Sequence, residues 1–240
     1  IFLLLKGLLL IIIVYMEKDT LYPEINVSTI TICCNLKSLY EISTIILSEV
    51  LKNYLPTTIK KKFFNQVTFL LPVKNINKTI NFKYFKNGRI VMTGCKSMKN
   101  AKEVCNLFLE EIKKNYEKLL INESALDELE IIDYKIAMIN SNFKTNLQFD
   151  LYKFQSILPK SSYEPCTYPG INHKYIFHND CDLKNCDHIN FKKCKCTRTT
   201  LLIFQSGNII ITGGKTIKHI NTVYNYINDI INKNKNEITI

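Results

Sequence analysis

The sequence predicts an α+β fold of two repeats related by a pseudo-two-fold axis, an antiparallel sheet with helices on one face. Three observations predict it. The segment FKNGRIVMTGCK (Phe85 to Lys96) returns as FQSGNIIITGGK (Phe204 to Lys215). The offset is 204 − 85 = 119 residues, and it holds for Gly88 and Gly207, Thr93 and Thr212, and Lys96 and Lys215. An offset that long marks a subdomain used twice, not the short period of a solenoid. The order strand, helix, several strands, helix also occurs twice, which places helices together on one side of a sheet. Finally, 240 residues at 46% hydrophobic and 22% charged suffice for two coupled cores and exclude a disordered chain.

The first half opens on VSTITI (Val27 to Ile32), whose alternation and β-branching predict a strand. The segment from Leu36 to Leu55 predicts a helix with Leu39, Ile42, Ile46 and Val50 on one face. A basic turn, Lys60 to Lys62, leads to three strand-like runs, FFNQVTFLL, TINFKYF and RIVMTG. Asn87-Gly88 between the last two is a two-residue hairpin signal. A helix from Met98 to Leu120 closes the half, with Ala101, Val104, Cys105, Phe108 and Ile112 on its apolar face. In the second half the strands are DYKIAMI, GINHKYIF, TLLIFQSG and NIIITGG, and a short helix DLYKFQSIL stops at Pro159. The last helix is expected over Ile217 to Asn232, with Ile220, Val223, Tyr224, Ile227 and Ile231 answering to the first-half face. The repeats are expected at 16–121 and 122–240.

Helices on one face leave the other face of the sheet uncovered. Its expected residues are Val67, Phe69, Phe82 and Tyr84 or their neighbours, with Val91, Leu202 and Ile210. A large exposed apolar β surface marks a binding site. Lys plus Arg is 32 against 21 acidic residues, a net charge of +11, which favours a polyanionic partner. A pseudo-symmetric body suits the pseudo-symmetric DNA duplex. The sequence shows no paired carboxylates, no nucleophile–base set and no phosphate-cradling glycine loop, so an enzyme is not expected. Cys33, Cys34, Cys95 and Cys105 lie in apolar stretches, which reads as a reducing compartment. The run IFLLLKGLLLIIIVY at 1–15 is shorter than the roughly 20 residues of a spanning helix. It is expected to precede the true start at Met16 and to be no part of the mature protein; the competing reading is a membrane anchor.

Four strings, VSTITICCNL, FKNGRIVMTGCKS, SSYEPCTYPG and LLIFQSGNIIITGGK, occur in the order found in the TATA-box-binding protein family, which the chain resembles over residues 23–235. The resemblance implies a saddle: a curved sheet whose concave face sits on the DNA minor groove and whose convex helices receive other transcription factors. It also implies insertion of apolar wedges between base steps, a mechanism of which this family is itself a type example. The matching wedge positions are Phe64 and Phe85 in the first half and Tyr168 and Phe204 in the second. Val91, Thr93, Leu202, Ile210 and Thr212 match positions that touch base edges. Arg89, Lys96, Lys174 and Lys215 match phosphate positions, which supply affinity rather than sequence.

There are departures from the family pattern. Tyr168 stands where the family has Phe, and Lys83 where an apolar floor residue is expected. Ile25 and Met138 fall on the central asparagines of the family, with Asn26 and Asn140 expected nearby but out of phase, hence on the other face. In the loop used by transcription factor IIB, Glu164 and Pro165 match, whereas Cys166 and Thr167 do not. The expected function is a general transcription initiation factor that binds and bends promoter DNA through the minor groove. The alternative is a bridging factor with weak or non-TATA DNA binding. The implied partners are double-stranded DNA, IIB-like and IIA-like factors and the RNA polymerase machinery, with no membrane. The implied location is the nucleus, or a viral factory for a protein of viral origin.

One segment has no counterpart in that pattern. Residues 178–198, HNDCDLKNCDHINFKKCKCTR, form an insertion between two paired strands. Cys181, Cys186, Cys194 and Cys196, with His178 and His188 close by, suit a tetrahedral zinc site in ligand type but lack paired C-x2-C knuckles. Zinc, a basic loop and a redox pair all remain open, and no other cofactor is expected.

Overall fold

The β-branched alternation near the start of the chain forms β1 (Asn26–Lys37), longer than VSTITI alone. The computed structural model describes residues 24–38, 41–57, 63–74, 77–177 and 196–240. The leader 1–15, Met16, Leu39 and the Lys60 to Lys62 turn lie outside them. The remaining strands are β2 (Gln66–Pro72), β3 (Thr79–Phe85), β4 (Arg89–Cys95), β5 (Glu130–Lys144), β6 (Ser161–Ser162), β7 (Gly170–Ile176), β8 (Arg198–Phe204) and β9 (Asn208–Gly214). The helices are α1 (Thr44–Val50), α2 (Met98–Lys114), α3 (Leu151–Ile157) and α4 (Ile217–Ile238).

All nine strands join one antiparallel sheet in the order β2-β3-β4-β1-β5-β9-β8-β7-β6. Apart from the two-residue β6 at one edge, the order reads the same from either end when β2, β3, β4 and β1 are matched to β7, β8, β9 and β5. β1 and β5 form the central seam, and its register shifts between Val27 and Thr29, Thr31 and Ile32, and Cys33 and Asn35. Asp133 in β5 has φ 58, in the left-handed region, and lies at the irregularity opposite Cys33 to Asn35.

Local chemistry repeats with the topology. Ser97 caps α2 by accepting from Asn100 N at 3.3 Å, and Thr216 caps α4 by accepting from His219 N at 3.1 Å. Such caps satisfy one of the first amides of a helix and stabilise it by about 1 kcal/mol. The hairpin turns carry Gly88 at φ 79 and Gly207 at φ 81. Each docks on the neighbouring strand or its continuation: Gly88 O accepts from Leu36 N at 2.8 Å, Gly207 O from Thr145 N at 3.0 Å.

One face of the sheet is covered by helices. Phe69, Phe82 and Tyr84 are buried there, their ring centroids 6.4, 4.7 and 5.7 Å from that of Phe108 on α2. Burying a ring of this kind contributes about 1.5–3 kcal/mol. Val67, Phe69, Phe82 and Tyr84 therefore belong to the core, and their neighbours Thr68, Leu70, Asn81 and Lys83 face the open side. In the second half Ile171, Leu201, Ile203, Ile209 and Ile211 pack against Ile220, Val223 and Ile227. Tyr224 sits edge-on to Phe143 at 4.8 Å.

Three helices differ from the sequence expectation. α1 begins only at Thr44, because Ser43 caps it, and the buried residues around it are Ile42, Leu47 and Leu51. Ile46 and Val50 are half-buried. α2 ends at Lys114, where the Asn115 amide binds the Glu111 carbonyl at 2.9 Å. α4 runs on to Ile238 through a bend at Asn234, held by the fully buried Ile238.

Candidate nucleic-acid interface

Strand pairing orders the open face into rows. In the first half Thr68 opposes Lys83, Lys83 opposes Val91, Val91 opposes Cys33, and Cys33 opposes Lys135. A second row runs Leu70, Asn81, Thr93. In the second half Asn172 opposes Leu202, Leu202 opposes Ile210, and Ile210 opposes Asn142. Its companion row runs Lys174, Thr200, Thr212, Asn140, and Asn140 continues across the seam to Thr29. The five residues expected to touch base edges, Val91, Thr93, Leu202, Ile210 and Thr212, thus share this face and are all half-buried.

Aromatic rings stand at its two ends. Tyr168 and Phe204 lie with ring centroids 5.9 Å apart, and Tyr168 is 40% exposed. A Cβ added at Gly170 would meet the Phe204 ring at 3.0 Å, so this glycine leaves the ring its seat. At the other end Gln66 opposes Phe85, and Phe64, just before β2, is 76% exposed. Thr44 Oγ1 donates to the Phe64 carbonyl at 3.0 Å, and Lys86 Nζ lies 5.8 Å from the Phe64 ring centroid while pairing with Glu41 at 2.8 Å. Phe63 is 59% exposed and bridges to Gln66; it lines a groove between α1 and β2 with Ile45 and Pro56.

The centre corrects the expected register. Asn140 is in phase with Met138, not out of phase: both are on the open face, where Thr212 Oγ1 lies 3.7 Å from Met138 Sδ. Asn140 Nδ2 donates to Thr29 Oγ1 at 3.1 Å, and Thr212 Oγ1 hydrogen-bonds Asn140 Oδ1 at 2.5 Å. Asn26 also faces the open side. The bulge between Val27 and Thr29 brings it opposite Asn142, and both line one depression with Ile210 and Phe204. Ile25 precedes β1 and packs against the core.

The expected phosphate residues are spread differently. Arg89 is exposed, with its guanidinium 3.9 Å from Cys33 Sγ. Lys96 Nζ donates to Val27 O at 3.2 Å. Lys174 Nζ donates to Thr200 Oγ1 at 2.7 Å; burial first, then nearby Arg198, lowers its pKa. Lys215 is exposed, and its backbone N–H donates to His219 Nδ1 at 3.4 Å. Sequence reasoning put Asn26 and Asn140 on the other face, although parity with Met138 signalled Asn140, read Cys33 only as part of an apolar stretch, and did not single out Asn142, Asn81, Lys135 or Gly170.

Away from this face, Glu164 and Pro165 are exposed, and Glu164 O accepts from Thr167 N and Tyr168 N at 2.9 Å. Cys181, Cys186, Cys194, His178 and His188 lie outside the described residues, while Cys196 is buried. No cluster of potential metal ligands occurs among the described residues. Among them, too, no helix is long and apolar enough to cross a membrane.

Comparison with known proteins gives a consistent result. The profile of the family described as "Transcription factor TFIID (or TATA-binding protein, TBP)" matches residues 133–234. The chain is 30% identical over 255 aligned positions to a TATA-box-binding protein-like protein of Acanthamoeba polyphaga mimivirus, covering 90% of this chain and 67% of the relative. It is 28% identical over 151 positions to the TATA-box-binding protein of Pyrodictium occultum, covering 63% and 60%. In structure it is similar to the Methanococcus jannaschii TBP, with a TM-score of 0.59 at 20% identity over 88% of this chain and 99% of that one.

Proposed function

Because the chain belongs to the TATA-box-binding protein family, we propose that it binds and bends promoter DNA through the minor groove to start transcription. At the family level it is a non-enzymatic, DNA-binding transcription factor that works with the transcription machinery. The observation that carries the finer reading is the open face itself. Its floor mixes apolar, hydroxyl and amide side chains with Lys83, Lys135 and Lys174, and an exposed aromatic ring stands at each end, Phe64 and Tyr168. Apolar wedges there offset the stacking lost at a kinked step with their own contact area. Phe85 and Phe204 complete the two pairs. Val91, Thr93, Leu202, Ile210 and Thr212 meet base edges, and Arg89, Lys96, Lys174 and Lys215 supply cations near the rims. Asn140 puts an amide near the centre, and Asn26 and Asn142 add two in the second half beside Ile210, where adenine N3 and thymine O2 present acceptors. That favours direct DNA reading over a purely bridging role.

Glu164 and Pro165 offer an exposed loop for a IIB-like factor, with IIA-like factors as further partners. The site of action is the nucleus or, given the viral relative, a viral factory. The cysteine-rich insertion is assigned no metal in this reading.

Bending is tested by energy transfer between dyes at the ends of a duplex. Protein should raise transfer efficiency, and a minor-groove ligand should abolish the effect. Binding that survives minor-groove ligands and is lost on major-groove methylation would refute the proposal.

A further inference from the structure

We propose that Asn140 is a positioning residue of the open face, and that it makes Thr29, rather than Thr212, the hydroxyl that donates to the centre of the DNA site. The inference rests on the minor-groove reading above and deepens it.

The amide of Asn140 spans the seam between the two halves. Its Nδ2 lies 3.1 Å from Thr29 Oγ1 on β1, and its Oδ1 lies 2.5 Å from Thr212 Oγ1 on β9. An amide nitrogen only donates and an amide oxygen only accepts. Each bond therefore has a fixed direction once the two ends of the amide are told apart, and the lengths tell them apart. O–H···O bonds run from about 2.5 Å and N–H···O bonds from about 2.7 Å, so the shorter contact belongs to the oxygen. Thr212 gives its proton to Asn140. Met138 Sδ, 3.7 Å from the same hydroxyl, is likewise an acceptor. Thr29 receives a proton from Asn140 and keeps its own.

Thr29 is half-buried on the open face, and among the described residues its hydroxyl proton meets no acceptor. A duplex seated over the seam excludes solvent, and a donor left bare there is costly. Adenine N3 and thymine O2 are the acceptors that an A·T-rich minor groove offers. Thr212, its proton already committed, meets the groove through its methyl group. The second Nδ2 hydrogen of Asn140 stays free whichever threonine donates, so the two threonines carry the discriminating test.

That test is competition binding on one A·T-rich duplex. Each central adenine is replaced in turn by 3-deazaadenine and each central thymine by 2-thiothymine, which removes or weakens one minor-groove acceptor at a time. Wild type should lose about three- to tenfold in affinity at one central position. Thr29→Val should bind the unmodified duplex more weakly by a similar factor and become indifferent to that position, and Thr29→Ser, which keeps the hydroxyl, should restore the response. Thr212→Val should respond as wild type does. Asn140→Ala, which leaves Thr29 untethered, should shrink the response without changing the salt dependence of binding, since no phosphate contact is touched. A response abolished by Thr212→Val, or no responsive central position in wild type, overturns the inference while leaving minor-groove binding intact. If Thr29→Val does not fold, the Thr212→Val result decides alone. Absence of binding to every duplex would instead remove the DNA reading on which the inference rests.

Discussion

The two halves share turns, caps and strand order, and differ in what fills them. The first core is aromatic: Phe69, Phe82 and Tyr84 gather on Phe108. In the second, register places Ile203 at the position of Tyr84, Leu201 at that of Phe82 and His173 at that of Phe69. His173 is 3% exposed and stacks on Tyr226 at 5.7 Å. Its Nδ1 has no partner, and Nε2 remains to donate to the Pro159 carbonyl. The backbone frame, fixed by hydrogen bonds and glycine turns, tolerates different cores as long as volume and face are kept. The open face differs in the same manner: Lys83 opposes Val91 in one half where Leu202 opposes Ile210 in the other. Frame and filling thus vary independently.

The largest expected effect is on the frame. Gly207→Ala forces φ 81 on a side chain and puts Cβ 2.3 Å from Leu147 O, whereas Gly88→Ala meets Leu36 O at 2.9 Å. Both should destabilise, Gly207→Ala by more, about 3 kcal/mol or above against about 1–2; denaturant unfolding measures the gap. Equal losses would mean that the two turns are equally adaptable.

Next come the wedges. Phe204→Ala and Phe85→Ala should each weaken bending and reduce affinity by about 2 kcal/mol, with melting temperatures nearly unchanged. Unfolding of either variant would assign that ring to the core instead.

A smaller effect concerns the buried histidine. Burial lowers the His173 pKa, against a partial opposing pull from the Pro159 hydrogen bond. The unfolded chain therefore binds the proton more readily, so stability falls as pH drops through about 6.5, the ordinary histidine value. His173→Phe, which copies the first half, should remove that acid limb from a plot of melting temperature against pH. A limb that persists unchanged would place its origin elsewhere. Smallest is Tyr168→Phe, which should bind DNA as well as wild type or slightly better, since it removes a hydroxyl that insertion would leave unpartnered.

The repeat and the Asn87-Gly88 turn were legible in the sequence, because each is carried by residues close together in the chain. The face of β2 was not. QVTFLLP is apolar at both parities from Phe69 to Leu71, and only packing against Phe108 decides which side is core. The central register was hidden for a different reason. Counting by twos from Ile30 puts Asn26 on the core side, and the bulge between Val27 and Thr29 reverses it. Asn140 needed no such correction: two residues from Met138, it shares that residue's face. Asn81 is distinguished by a buried carbonyl oxygen without a hydrogen-bond partner, which no spacing reveals.

The seam between β1 and β5 has a consequence for the order in which the protein is made. β1 is the first described strand and spans 12 residues, and its central partner lies about a hundred residues downstream at Glu130. During vectorial synthesis the first half emerges and closes its own core while one side of β1 still presents open backbone groups. Such an edge templates pairing with any strand nearby. A ribosome paused in the second half would leave nascent chains vulnerable to joining one another through β1, two first halves meeting where a first and a second belong.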